Sequence, residues 1–340
     1  MNPRKALMVH APSVLSIREA RDEFLGLIYE FRWIANVQLP PGARTFQPIV
    51  IDLVRTDEIT LDAALVLTSE YHAACLAADR DYNFKPLIDD KDWQPQVRSL
   101  LKTLGFYELV KPVDTTAEFE PPAEGELRFV QFVSDELVNG IWAEQLLDAL
   151  RDAAGAAPKR ELAYGALLEA IGNVRGHAYP KDSPPDVIER VPNWWAAGAY
   201  DPKRGVLEFA VYDRGVGIPS TLPKQDFFAS ILRLTSPERT DADVIAGAIR
   251  YGRTRHSLSR RKGGHAPLGR GNGLWSICKI VEELEGSFVR ISSERGEVEY
   301  HGRRDVRKKD HANPFTGTLV EWTLKLPPDL ATPPAEQCTQ

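Results

Sequence analysis

Apolar residues recur along this 340-residue chain at two intervals, and each change of interval marks an element. In the second half, Leu127 to Val133 reads as a strand, and the amphipathic stretch Asn139 to Ala153 reads as the helix that follows it. Glu161 to Tyr179 places Leu162, Ala166 and Ala170 on neighbouring helical faces until Pro180 stops the pattern. Asn193 to Tyr200 opens a sheet hairpin into Val206, with Trp194 and Trp195 expected to pack on an edge strand. Val206 to Asp213 alternates and then turns continuously apolar, which predicts a core strand delivering Asp213 to its C-terminal end. Asp241 to Tyr251 reads as a short helix, Trp275 to Glu285 as a helix ended by Gly286, and Leu319 to Leu326 as a closing strand.

The first half carries its own set: a helix near Ile17 to Ala35, a buried strand Ile49 to Val54, and helices Leu61 to Ala77 and Gln96 to Leu104. The Pro- and Glu-rich run Lys111 to Gly125 separates the halves. The fold class is therefore α/β, with an N-terminal α/β module over residues 1–115, a linker over 116–126, a larger unit over 127–327 and a disordered tail over 328–340.

Four short motifs stand in order within the larger unit: Glu169-x-x-x-Asn173-x-x-x-His177, Asp213-x-Gly215-x-Gly217, Gly269-Arg270-Gly271-Asn272-Gly273-Leu274, and Thr316-Gly317-Thr318. Four-residue steps advance about 400° around a helix, so Glu169, Asn173 and His177 form a polar stripe roughly 12 Å long. A carboxylate can orient and deprotonate water, and a carboxamide oxygen one turn on is the hard ligand that Mg²⁺ prefers. His177 also suits a cap near a helix C-terminus. Gly215 and Gly217 let a backbone come close to a flat base. The glycines from Gly269 to Gly273 precede a helix, where exposed N–H groups and the helix dipole favour phosphate. Between the second and third motifs, Arg250, Arg253, Arg255, Arg260, Arg261 and Lys262 flank Gly-rich breaks; such a run folds over phosphate, meets an acidic partner or is simply a solvated loop.

Each motif alone is weak, and their order is the strong signal. The set resembles the GHKL superfamily of histidine-kinase-like ATPases over about residues 127 to 327. That resemblance implies a Bergerat-type two-layer α/β sandwich, a mixed sheet with helices on one face, with a mobile lid over 218–268; the basic side chains between its glycines predict that ATP orders 241–268. It implies Mg-ATP as ligand, with Glu169 as general base, Asn173 as Mg²⁺ ligand, Asp213 accepting from the adenine amino group and Thr318 reaching toward the base. Gly269, Arg270, Gly271, Asn272, Gly273 and Leu274 would wrap the phosphates, and His177 matches the anti-sigma serine kinases and some sensor kinases of the family. The N-terminal module resembles STAS domains weakly through its strand, helix and Val97 to Phe106 stretch. Thr60 to Leu65 replaces the segment that carries the phosphorylated Ser there, so a generic α/β interaction module fits as well.

Composition narrows this further. A net charge of −6 marks no nucleic-acid binder, and three scattered cysteines suggest neither a disulfide framework nor a zinc site. No window approaches the ~18 apolar residues of a membrane helix, so the expectation is a cytoplasmic protein with no membrane contact. A protein partner would dock on the N-terminal module or the basic run, and a homodimer is compatible with the resemblance. Three outcomes stay open: an ATPase driving a lid and partner switch, an anti-sigma-type serine/threonine kinase, or a non-enzymatic ATP-gated scaffold.

Overall fold

The computed structural model describes residues 7–38, 49–82, 88–110, 127–137, 140–155, 159–180, 191–221, 239–261 and 273–327. It is a mixed α/β structure built on a five-stranded sheet: β5 (Arg128–Asp135), β6 (Trp194–Asp201), β7 (Val206–Asp213), β8 (Phe288–Gly302) and β9 (Asp305–Lys325). Strand order is β5-β6-β7-β9-β8 and every neighbouring pair is antiparallel, so the mixed sheet that the resemblance implied is replaced by an antiparallel one. The strands connect as hairpins or through helices that return the chain antiparallel. At the β6–β7 turn, Asp201 accepts the N–H groups of Lys203 (2.9 Å) and Arg204 (3.1 Å), a local closure that Asp favours.

Successive side chains of a strand point to opposite faces, and here both faces are buried. Trp194, Ala196, Phe209, Val211, Val320 and Trp322 face α5 (Gly140–Ala154), α6 (Arg160–Asn173) and α9 (Gly273–Cys278). On that side Phe209 stacks on Trp322 with ring centroids 4.6 Å apart. Trp195, Ala197, Ala210, Tyr212, Phe315 and Leu319 share the opposite core with α1 (Arg21–Gln38) and α2 (Leu61–Tyr82). The helices of residues 127–327 therefore lie on one face of the sheet, and helices of the N-terminal half cover the other. The N-terminal half forms the third layer, with its own short parallel pairs β1 (Leu7–His10) with β3 (Ile49–Asp52) and β2 (Val14–Leu15) with β4 (Glu58–Ile59). Helices α3 (Pro95–Thr103) and α4 (Phe106–Val110) complete it.

Several expected elements differ in detail. β6 lies between β5 and β7, so Trp194 and Trp195 are interior residues, fully buried, and not edge packing. The closing strand begins well before Leu319, because β8 and β9 form one long hairpin. After the single-turn helix α7 (Ile218–Thr221), helix α8 runs from Asp241 to Arg261, past Gly252. Ala242, Ile245 and Ile249 of α8 are buried in the same core as α5, α6 and α9. The tail over 328–340 and the whole linker over 116–126 lie outside the described residues.

Candidate nucleotide site

α6 ends at Asn173, and Val174–Ala178 continues as a single π-helical turn. A π turn is one residue wider than an α turn, so His177 is displaced from the straight stripe predicted for Glu169, Asn173 and His177. It is exposed at the rim of a cleft while Asn173 is half-buried below it. Such single π turns concentrate at functional sites.

The π turn is also a docking surface for the Asp213 loop. Val216 N–H donates to the Ala178 carbonyl (2.9 Å), and Arg214 N–H donates to the Tyr179 hydroxyl (3.0 Å), which donates to the Asn193 carbonyl (3.0 Å). A Cβ on Gly215 would lie 2.3 Å from the Ala178 carbonyl oxygen, which explains the glycine there by close approach. Across the sheet, Asp213 pairs with Thr318. Gly317 has φ +86°, and a Cβ on it would sit 1.9 Å from the Asp213 carbonyl oxygen. The Thr316-Gly317-Thr318 turn thus closes directly onto the strand end that carries Asp213.

Asp213 is buried, and desolvation raises its carboxyl to a pKa of about 7 against the pull of N–H donors from Gly215 (2.8 Å) and the Thr318 backbone. A carboxylate has about four acceptor positions, so two remain for a ligand. Glu169 is half-buried, and desolvation alone moves its pKa upward. The start of α9 comes down on this pair: a Cβ on Gly273 would be 3.1 Å from both Glu169 Oε2 and Asn173 Oδ1. That backbone approach leaves the carboxylate and the carboxamide facing a helix N-terminus.

Asn173, His177, Asp213, Gly217, Gly273, Leu274 and Thr318, from all four motifs, line one solvent-open cleft. Its apolar walls come from Ala170, Val211, Ile277 and Val320, and Tyr251 and Ala248 of α8 close one side. This is the usual constitution of a small-molecule site: apolar walls with a few convergent polar groups. Gly269, Arg270, Gly271 and Asn272 lie outside the described residues. Among the described residues no group of three His, Cys, Asp or Glu side chains forms a metal cluster, and no helix is long and apolar enough to cross a membrane. Cys278 is a core residue, fully buried beneath the cleft.

The chain matches no protein-family model, no curated protein and no solved structure.

Sequence reasoning missed Ser293. Its buried hydroxyl accepts the Ile218 N–H (2.9 Å), donates to the Gly317 carbonyl (3.0 Å), and lies 3.2 Å from the Thr318 hydroxyl. It ties the Gly217 turn to the Thr318 turn across the cleft floor. The signal was slight: two adjacent serines, Ser292 and Ser293, in a strand that also carries Arg290, Glu294 and Arg295. Also missed was Arg214, an unassigned position between Asp213 and Gly215 that points away from the cleft into the N-terminal half.

Proposed function

We propose that this chain binds Mg-ATP in the cleft and transfers the γ-phosphoryl group, as the resemblance of its motifs to GHKL ATPases implies. One observation carries this: motif residues from four segments between Asn173 and Thr318 line a single cleft that carries a buried carboxylate, and Glu169, one helical turn before Asn173, lies beside Gly273 of its lining. Asp213 supplies the acceptor for an exocyclic amine, which adenine has at this position and guanine lacks. Val211, Ile277 and Val320 give the base an apolar bed. The amide of Asn173 is the hard oxygen that would hold Mg²⁺, whose charge would offset that of the phosphates.

Glu169 is the base. Its carboxylate takes the proton from the attacking hydroxyl as the new O–P bond forms and the bond to the leaving ADP oxygen breaks. Partial desolvation makes it a stronger base than a solvated carboxylate. The acceptor is water in an ATPase and a partner's Ser or Thr in a kinase. Incubating the purified chain with γ-labelled ATP, alone and with lysate, separates the two: label released as phosphate identifies hydrolysis, and label on protein identifies a kinase. Label that stays on ATP in both, with the nucleotide bound, would reduce the function to ATP-gated binding.

A further inference from the structure

The alternation of β7 sends Tyr212 and Arg214 to the side of the sheet opposite Asp213. There they meet Glu70, a fully buried carboxylate on α2, 0% exposed. Arg214 Nε–H donates to Glu70 Oε1 at 2.9 Å, and Arg32 of α1 donates its Nε–H to Glu70 Oε2 at 2.7 Å and a second N–H to Oε1. Arg32 also donates to the Tyr212 hydroxyl at 3.1 Å. That hydroxyl lies 3.0 Å from both Glu70 Oε1 and the carbonyl of Thr316, either of which can take its proton. One carboxylate therefore holds the residues on both sides of Asp213 and, through Tyr212, the residue that opens the Thr316-Gly317-Thr318 turn. Burial would raise the Glu70 pKa, but Arg214 first and Arg32 next hold it down to about 2.

We propose that Glu70 is a positioning residue for the nucleotide cleft, through which α1 and α2 set its affinity for ATP; this rests on the ATP reading above. No member of the network other than the strand it grips belongs to the cleft, since Glu70 and Arg32 are absent from its lining. A buried charge network of this kind has no half-broken state at low cost, because a lost partner leaves another charge unpaired. Movement of α1 or α2 is thereby transmitted to the backbone that presents Asp213 and Thr318. Linkage makes the effect reciprocal: ATP must tighten the network by the factor by which the network tightens ATP.

The test is the Mg-ATP dissociation constant of the full chain and of Glu70→Gln and Arg32→Met, neither of which removes a cleft-lining group, with cooperative unfolding as the check on folding. Folded variants should bind ATP at least tenfold more weakly, and Glu70→Asp should restore part of the loss. Wild-type affinity in both folded variants overturns the proposal while leaving ATP binding by the chain intact. Should the variants not fold, hydrogen exchange on the wild-type chain decides: a non-hydrolysable ATP analogue should slow exchange of α2 amides around Glu70, and unchanged exchange there overturns it. A wild-type chain that binds no ATP removes both this proposal and its foundation.

Discussion

At the residue scale, the most informative group is Asp213, because the burial that on the proposed reading fits it to accept from an amine also burdens the fold. Its pKa of about 7 in the folded chain stands above the ordinary 3.8, so the folded state holds the proton longer than the unfolded one. The sign follows: stability is lost as pH rises from about 4 through 7, and above 7 the full cost is present. Asp213→Asn resembles the protonated acid. We predict that it raises the unfolding midpoint at pH 8, with little change near pH 4, while lowering ATP affinity tenfold or more. Thermal melts at the two pH values, paired with calorimetric titration of ATP, check both halves. ATP affinity of the unaltered chain should itself fall as pH drops below about 7, since an accepting carboxylate must first lose its proton. Glu169→Gln, by contrast, should leave ATP bound but lower turnover by about 10² to 10⁴, because a general base acts on the transition state. Turnover within twofold of the original would move the base elsewhere.

At the scale of elements, the close approaches around the cleft set the tolerances. A Cβ at position 317 would strike the Asp213 carbonyl oxygen at 1.9 Å on a backbone already at φ +86°. Gly317→Ala should therefore destabilise the chain by about 1 to 3 kcal/mol and weaken ATP binding together, measured by denaturant unfolding and titration. An unchanged midpoint would mean the turn is not seated on β7. The order of the motifs and their strand or helix context were legible in the sequence, since spacing and periodicity mark where a helix runs or a strand ends. The π turn at Val174–Ala178 was not: no residue type in it distinguishes a wide turn from an α turn. Nor was the packing of α8, whose apolar residues Ala242, Ile245 and Ile249 fit a core helix as well as the hinge of a lid. Ser293 stayed hidden for a similar reason, because its partners come together only when the long hairpin of β8 and β9 is folded.

On the scale of the whole molecule, the sheet is a shared wall. The run Trp194 to Tyr200 is apolar or small at every position, which a sheet with one wet face would not tolerate, and this was a readable sign that something covers the second face. Which segment does so was beyond periodicity, because it depends on long-range packing of α2 on β6 and β7 and of α1 on β9. The charge pair that joins the layers has a pH signature of its own. Glu70 is held to about 2 from an ordinary 4.5, so the stability it contributes is present above 4.5 and lost as pH falls toward 2. A chain lacking residues 1–110 should accordingly expose Trp195, Tyr212 and Phe315 and aggregate or unfold, as size-exclusion chromatography would show; a stable monomer would mean the sheet does not need its third layer. The central claim is that this wall holds a site for adenine nucleotide. Calorimetric titration of the full chain at pH 8 with Mg-ATP and, separately, Mg-GTP tests it most directly. Saturable binding of ATP with GTP at least tenfold weaker is the predicted result, and no binding of either, or equal binding of both, would contradict it.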